Sequence, residues 1–157
     1  MTDEFLPLLL LAPVLLIVAV EDLRRLTISN RLVLLALILF GATAPFLAPG
    51  EILWRAAAGL SLFAVLIGFF ALGMLGGGDV KMLPAVVLFV PSAHWGSFAT
   101  LLALTLLLGV IGVIGARSAA TRLGPTGWLA LDRPGTFPMG VSIAGAGLLL
   151  PALSAIV

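Results

Sequence analysis

Long apolar stretches recur along this chain, and they are the feature that most limits what it can fold into. Of its 157 residues, 62% are hydrophobic and 10% are charged, whereas soluble domains carry about 25% charged residues. A soluble domain of this length cannot bury so much apolar surface, but lipid accepts it directly. We therefore predict an all-α, polytopic membrane protein with six helical spans, over residues 5–20, 32–48, 56–75, 80 to about 90, 95–116 and 139–157.

The segments between these spans are short and carry no sign of a second domain. The longest, residues 117–137, is rich in glycine and proline, and we expect an irregular loop there. No linker or internal repeat is visible. The chain 1–157 is thus predicted to be a single transmembrane domain.

The basic residues are divided unevenly between the two sets of loops. Only Arg55 falls on one side of the predicted membrane. The other seven fall in three alternate loops: Arg24, Arg25, Arg31, Lys81, Arg117, Arg122 and Arg133. Because Lys and Arg concentrate in cytoplasmic loops, we predict that these three loops face the cytoplasm and that both termini lie outside.

Composition also excludes several kinds of chemistry. The chain has no cysteine and one histidine, His94, which excludes disulfides, thiol nucleophiles, Cys-based zinc sites and His-rich metal sites. Its net charge of +1 gives no basic field for nucleic acid. We expect no cofactor, no metal and no nucleic-acid partner, and we interpret His94 as a surface side chain in an outer turn.

Two acidic residues lie where an ionisable group is unusual. Asp22 ends the first predicted span, near the inner edge of the hydrocarbon, where it could also simply pair with Arg24 or Arg25. Asp79 is followed by only eleven residues before Pro91, and so short a helix, about 18 Å, leaves it below the membrane surface. Ionisable groups at such depth usually mark functional sites.

The two aspartates form a possible catalytic pair on one side of the membrane. Two close carboxyl groups cannot both ionise easily, so one keeps a proton while the other activates water for attack on a peptide carbonyl. The protonated partner polarises the carbonyl oxygen, and neither step needs a metal or cofactor. The glycines of 76–78 would break the helix beside Asp79 and allow close approach of a substrate.

Three ordered segments resemble the prepilin peptidases, the GxGD aspartic proteases of bacterial inner membranes. The first is Asp22-Leu23-Arg24 followed by Ile28-Ser29-Asn30, the second is Gly76-Gly77-Gly78-Asp79-Val80-Lys81, and the third is Phe137-Pro138-Met139-Gly140-Val141. All three fall on the predicted cytoplasmic side. Two positions depart from the family pattern, since Ser29 replaces the usual proline and Met139 the usual aromatic residue.

This resemblance implies that Asp22 and Asp79 are catalytic and that Gly76 and Gly78 shape the approach to Asp79. It makes four further residues supporting positions: Asn30, Lys81, Pro138 and Gly140. The substrate would be a prepilin or pseudopilin, with a basic leader in the cytoplasm and a hydrophobic helix in the bilayer.

The chain looks like the compact CpaA/TadV type of tight-adherence (Flp) pilus systems. Many prepilin peptidases carry a Cys-rich zinc domain and also methylate the new N-terminus. This chain has no cysteine, so the resemblance gives no support for a zinc domain or for methyltransferase activity.

Two other functions stay open on sequence alone. In a proton- or cation-coupled transporter subunit, carboxylates in the membrane would relay ions. In a non-catalytic scaffold of a pilus machine, Asp22 and Asp79 would be structural charges.

Overall fold

A computed structural model describes residues 3–123 and 126–154, and within these ranges all regular structure is helical. The described residues form seven α-helices: α1 (Leu6–Arg25), α2 (Asn30–Thr43), α3 (Pro49–Ala71), α4 (Gly77–Val87), α5 (Trp95–Leu123), α6 (Leu129–Asp132) and α7 (Met139–Ser154). Three short 3-10 turns, Asp3–Phe5, Ala44–Phe46 and Ser92–His94, accompany them.

The helices are those of a polytopic membrane protein. Three stretches, Leu6–Arg25, Pro49–Ala71 and Ser92–Ser118, are long and apolar enough to cross a bilayer, and Asn30–Phe46 and Met139–Ser154 are shorter apolar helices. Many large side chains on their outer faces are exposed, as lipid-facing residues are. The prediction of an all-α polytopic membrane protein is confirmed.

Several predicted boundaries differ from the observed ones. The first helix continues past residue 20 to Arg25, which places Asp22 inside its last turn. The prediction of an irregular loop over 117–137 is wrong in two places, because part of that segment is helical. Helix α5 continues to Leu123, and α6 forms one turn over Leu129–Asp132. Residues 124–125 of that loop and 155–157 of the sixth predicted span lie outside the described ranges.

Helix α4 is short and central. Its 11 residues extend about 16 Å, roughly half of a hydrocarbon core. Most of its side chains, from Val80 to Val87, are buried, and it packs against α2, α3 and α7. Helix α4 is therefore packed among longer helices, with Asp79 near its beginning.

The bundle has two distinct ends. We call the aspartate end the one formed by the end of α1, the beginning of α4 and the beginning of α7. The opposite end, the Glu51 end, holds Glu51, Arg55 and Ser92. His94 is also at the Glu51 end, where it lies 3.6 Å from the Glu4 carboxylate and packs against the Phe5 ring.

Side-chain hydrogen bonds fix the segment between α5 and α7 at the aspartate end. The Arg117 guanidinium donates to the carbonyl oxygens of Ala130 and Thr136. The Asp132 carboxylate accepts hydrogen bonds from the backbone N–H groups of Thr126 and Gly127. The backbone donor of Thr126 is the main cause that lowers the pKa of Asp132 from its ordinary value.

Candidate active site

Asp22 is buried in the last turn of α1 and bonded to the beginning of α7. Its Oδ2 accepts a hydrogen bond of 2.6 Å from the backbone N–H of Gly140. A Cβ atom at position 140 would lie 2.8 Å from that same oxygen. The glycine at 140 is therefore what allows α7 to approach the carboxylate so closely.

The alternative interpretation of Asp22, an ion pair with a neighbouring arginine, is wrong. The Arg24 guanidinium lies over the Trp128 ring, 5.4 Å from its centre. Arg25 faces Glu21 at 4.0 Å. Among the described residues, the polar partner of the Asp22 side chain is instead the backbone of α7.

Asp79 lies in the first turn of α4, which begins at Gly77. The expectation that all three glycines of 76–78 break the helix is therefore wrong for Gly77 and Gly78, and only Gly76 lies outside α4, as its N-cap. Its Oδ2 is folded back toward Gly76, where an added Cβ would lie 2.8 Å from it. Its Oδ1 is buried and has no hydrogen-bond partner in the part of the chain that the structure describes. Buried polar atoms are nearly always paired, so an unpaired carboxylate oxygen needs an explanation.

Both aspartates line the same cavity of about 230 Å³. They are also close enough for their charges to interact. Six of the predicted site residues line this cavity: Asp22, Asn30, Gly76, Gly78, Asp79 and Lys81. The other lining residues are Gly77 and three residues of the connecting segment between α1 and α2, namely Leu26, Thr27 and Ile28. Pro138 and Gly140 do not line it. Gly140 contacts Asp22 from α7, through its backbone N–H.

Lys81 and Asn30 are joined at the rim of this cavity. The Nζ of Lys81 donates a hydrogen bond of 3.0 Å to the Oδ1 of Asn30. The bond connects α4 to the first turn of α2, across 51 positions of sequence. The Lys81 ammonium is thus used to join two helices.

Gly78 faces the connecting segment between α1 and α2. A Cβ at position 78 would lie 2.9 Å from the Cβ of Ile28 and 3.0 Å from its backbone nitrogen. Gly76, in contrast, gives room to the Asp79 carboxylate. The two glycines therefore act differently: Gly76 accommodates the carboxylate and Gly78 lets α4 pack against the backbone at Ile28.

Ile28 belongs to one of the motif segments, but sequence reasoning gave it no role in the site. Its side chain is buried and lies between the beginnings of α4 and α7, since added Cβ atoms at Gly78 and Gly140 would both meet it at 2.9 Å. It is the one apolar residue of the stretch 27–31, which runs from the connecting segment into the first turn of α2. That contrast is the signal that could have identified it as a packing residue.

Ser29 has structural roles that the family's usual proline could not fill. Its backbone N–H donates to the Oε2 of Glu21 at 3.1 Å, and its hydroxyl caps α2 by accepting from the Arg31 N–H. Proline has neither the N–H nor the hydroxyl. The departure from the family pattern at position 29 is therefore matched by bonds that hold the connecting segment.

Pro138 is buried next to a second, apolar cavity of about 240 Å³. Leu23, which follows Asp22, lines this cavity too, and so does Phe137. The Phe137 ring packs against Gly109 of α5, where a Cβ would lie 3.0 Å from its Cζ. Pro138 thus fixes the entry of α7 next to Asp22.

Two acidic side chains, Asp22 from α1 and Asp79 from α4, line one cavity together with the glycines of 76–78. These are residues of the motifs quoted from the sequence. A model of the type IV leader peptidase family matches residues 9–116. The chain belongs to the type IV leader peptidase family. The match includes Asp22 and Asp79 and ends before the segment at Phe137. Neither the curated proteins nor the solved structures give a significant match.

Membership in the type IV leader peptidase family gives the general activity. The chain is a membrane-embedded leader peptidase, and a prepilin substrate and a lipid environment follow from the family.

Proposed function

We propose that this leader peptidase is an aspartic endopeptidase in which Asp22 and Asp79 are the catalytic pair. The observation that carries the proposal is the shared cavity, in which a buried Asp79 oxygen has no partner within the described residues. A structural carboxylate would be expected to have all its buried oxygens bonded. Asp22 supplies the only other carboxylate that lines that cavity.

In the proposed reaction the pair shares one proton. The Gly140 N–H stabilises the ionised form of Asp22, so Asp22 accepts a proton from water and the resulting hydroxide attacks the carbonyl carbon. Protonated Asp79 donates its proton to the carbonyl oxygen. When the tetrahedral intermediate breaks, Asp22 gives its proton to the leaving amine and Asp79 recovers the proton from the new carboxyl group.

The supporting residues position these two carboxyl groups. Gly140 and Ile28 fix α7 against Asp22, and Gly78 fixes α4 against Ile28. The bond between Lys81 and Asn30 holds α4 to α2 at the rim of the cavity. We assign them positioning roles, because none replaces a carboxyl group in the reaction.

We further propose that the aspartate end faces the cytoplasm of a bacterium and that the protein lies in the inner membrane with both termini outside. The basic loops support this orientation, and Arg55, the one exception, is ion-paired with Glu51. Reporter fusions after residues 27 and 157 test it. We expect a cytoplasmic signal from the first and an external signal from the second, and the reverse pattern would overturn the orientation.

We propose prepilins and pseudopilins of the Flp type as substrates, on the resemblance to the compact CpaA/TadV peptidases. The leader would be cut on the cytoplasmic side, at the start of the substrate's hydrophobic helix. No N-methylation is expected, and the chain is expected to act as a single transmembrane peptidase domain.

Co-expression with a candidate Flp-type prepilin tests the activity. We expect the wild-type chain to remove the leader and the double variant Asp22→Asn, Asp79→Asn to leave it intact at equal membrane abundance. Leader removal by the double variant would overturn the aspartic mechanism. It would favour the alternative in which this chain is a non-catalytic scaffold and another peptidase removes the leader.

A further inference from the structure

A second polar depression lies at the aspartate end, outside the catalytic cavity. This groove, of about 370 Å³, lies between the end of α1 and the beginning of α2. We call it the arginine groove. Its lining combines apolar with charged and polar side chains: Ile17, Val20, Glu21, Arg24, Arg25, Ser29, Arg31 and Leu32.

The arginine groove has more positive charge than its own acidic residue can balance. Three arginines line it against one carboxylate, Glu21. That carboxylate is already engaged, because it accepts from the Ser29 N–H at 3.1 Å and faces Arg25 at 4.0 Å. The groove is therefore complementary to an anion.

Arg31 is the residue that most clearly lacks an anion. It lies in the first turn of α2, which holds no acidic residue, and the helix dipole disfavours a cation at that position. Its side chain is exposed and has no ion pair or hydrogen bond within residues 3–123 and 126–154. An external anion would relieve this arrangement.

The apolar side chains of the groove, Ile17, Val20 and Leu32, determine which anion fits, and we call them the apolar wall. Ile17 and Val20 are 52% and 44% exposed on the lipid-facing surface of α1. Ile17 precedes Arg24 by seven residues, about 10 Å along the helix, so the wall runs from the arginines into the hydrocarbon. A ligand that fills the groove needs a negative head and an apolar tail.

We propose that the arginine groove binds an anionic phospholipid, with its phosphate at Arg31, Arg24 and Arg25 and an acyl chain along Ile17, Val20 and Leu32. Basic pockets between membrane helices are a known means of binding anionic lipid headgroups. An acidic peptide would satisfy the arginines but would leave the lipid-facing wall without a function. This binding is separate from peptide cleavage.

Native mass spectrometry of the purified full chain in detergent tests the proposal. The fraction of protein carrying lipid is measured against concentration, with phosphatidylglycerol and phosphatidylcholine of equal chain length. We expect phosphatidylglycerol to bind more tightly. Arg31→Gln should weaken its binding about fivefold, the factor that one basic residue contributes near an anionic surface.

Two further variants separate the groove from general attraction. Arg133→Gln removes an equal charge from an exposed residue that does not line the groove, and it should weaken binding less than about twofold. Ile17→Trp places a larger side chain in the space along the apolar wall without changing the charge, and it should also weaken phosphatidylglycerol binding.

Three results would overturn the proposal. The first is equal binding of the two lipids. The second is equal weakening by Arg31→Gln and Arg133→Gln. The third is displacement of phosphatidylglycerol by inorganic phosphate with no effect of Ile17→Trp, which would identify a free-phosphate site instead.

Discussion

Arg55 and Asp79 are both ionisable side chains inside the bundle, at opposite ends, and they differ in how completely their polar atoms are bonded. Arg55 is 2% exposed, and its guanidinium donates to the Glu51 carboxylate at 2.8 Å and to the Phe89 carbonyl at 3.3 Å. Glu51 in turn accepts from both the backbone and the hydroxyl of Ser92. Asp79 leaves a buried oxygen without any partner within the described ranges.

Burial of an ionisable group therefore does not by itself indicate function. The Glu51 end joins α3 to the turn before α5 through a network in which the charges are balanced, as a structural ion pair requires. The aspartate end joins α1, α4 and α7 but keeps one polar atom available. We infer that the first network stabilises the protein and that the second is used for chemistry.

The largest effect on cleavage is expected at the aspartate end. Asp22→Asn should reduce leader removal at least about 100-fold, because an amide can neither accept the proton from water nor share it with Asp79. The measurement is leader removal from co-expressed prepilin, normalised to the peptidase in the membrane. Asp132→Asn, which changes an exposed loop carboxylate, is the matched control and should alter cleavage less than about twofold.

The largest effect on stability is expected at the Glu51 end. Arg55→Met should lower the free energy of unfolding by about 3 kcal/mol, because it leaves the Glu51 carboxylate without its buried counter-charge. Thermal unfolding of the purified chain measures it. Arg133→Met, at an exposed position, should leave the unfolding midpoint nearly unchanged. Equal midpoints for the two variants would contradict a structural role for the Glu51 network.

A change at Gly78 tests how the aspartate end is assembled. Gly78→Val should cost about 1–3 kcal/mol of stability and suppress cleavage, since its side chain would overlap the Ile28 backbone. The control is Gly112→Val, because a Cβ at position 112 meets nothing within 4 Å. If both variants cleave like the wild type, the close packing of α4 on Ile28 is not needed for activity.

The smallest expected effect concerns the bond between Lys81 and Asn30. Lys81→Met and Asn30→Leu should each lower cleavage about fivefold, the value of one partly exposed, charge-assisted hydrogen bond. The double variant should be no worse than either single one, because both remove the same contact. Additive losses would show that the two residues act independently, and that the bond between them does not support activity.

The sequence predicted the helices and the aspartate pair for a simple physical reason. Apolar runs must become helices in lipid, and charged residues are so few that each one inside a span stands out. Asp79 was found because the run after it is short, and the structure has an 11-residue α4 there. Arg55 and Glu51 could also have been paired from their spacing of four residues on one helix.

What the sequence could not show depends on contacts between distant segments. Nothing in the composition links Asn30 to Lys81, and nothing tells which glycine faces Ile28 and which faces Asp79. The extension of α5 to Leu123 was missed because polar residues, beginning with Arg117 and Ser118, interrupt the apolar run there, although residues 117–123 contain no glycine or proline to end a helix. Polarity marked the end of the apolar span, but it did not mark the end of the helix.

The most direct test compares Asp79→Asn with Glu51→Gln in one experiment that measures both cleavage of the prepilin leader and thermal unfolding. We predict that Asp79→Asn loses at least about 100-fold in cleavage with an unfolding midpoint equal to or above that of the wild type, because one buried oxygen of the replaced carboxyl group has no hydrogen-bond donor among the described residues. We predict that Glu51→Gln still cleaves but unfolds at a lower temperature. Wild-type cleavage by Asp79→Asn at equal membrane abundance would contradict the proposal that the Asp79 carboxyl group takes part in the reaction.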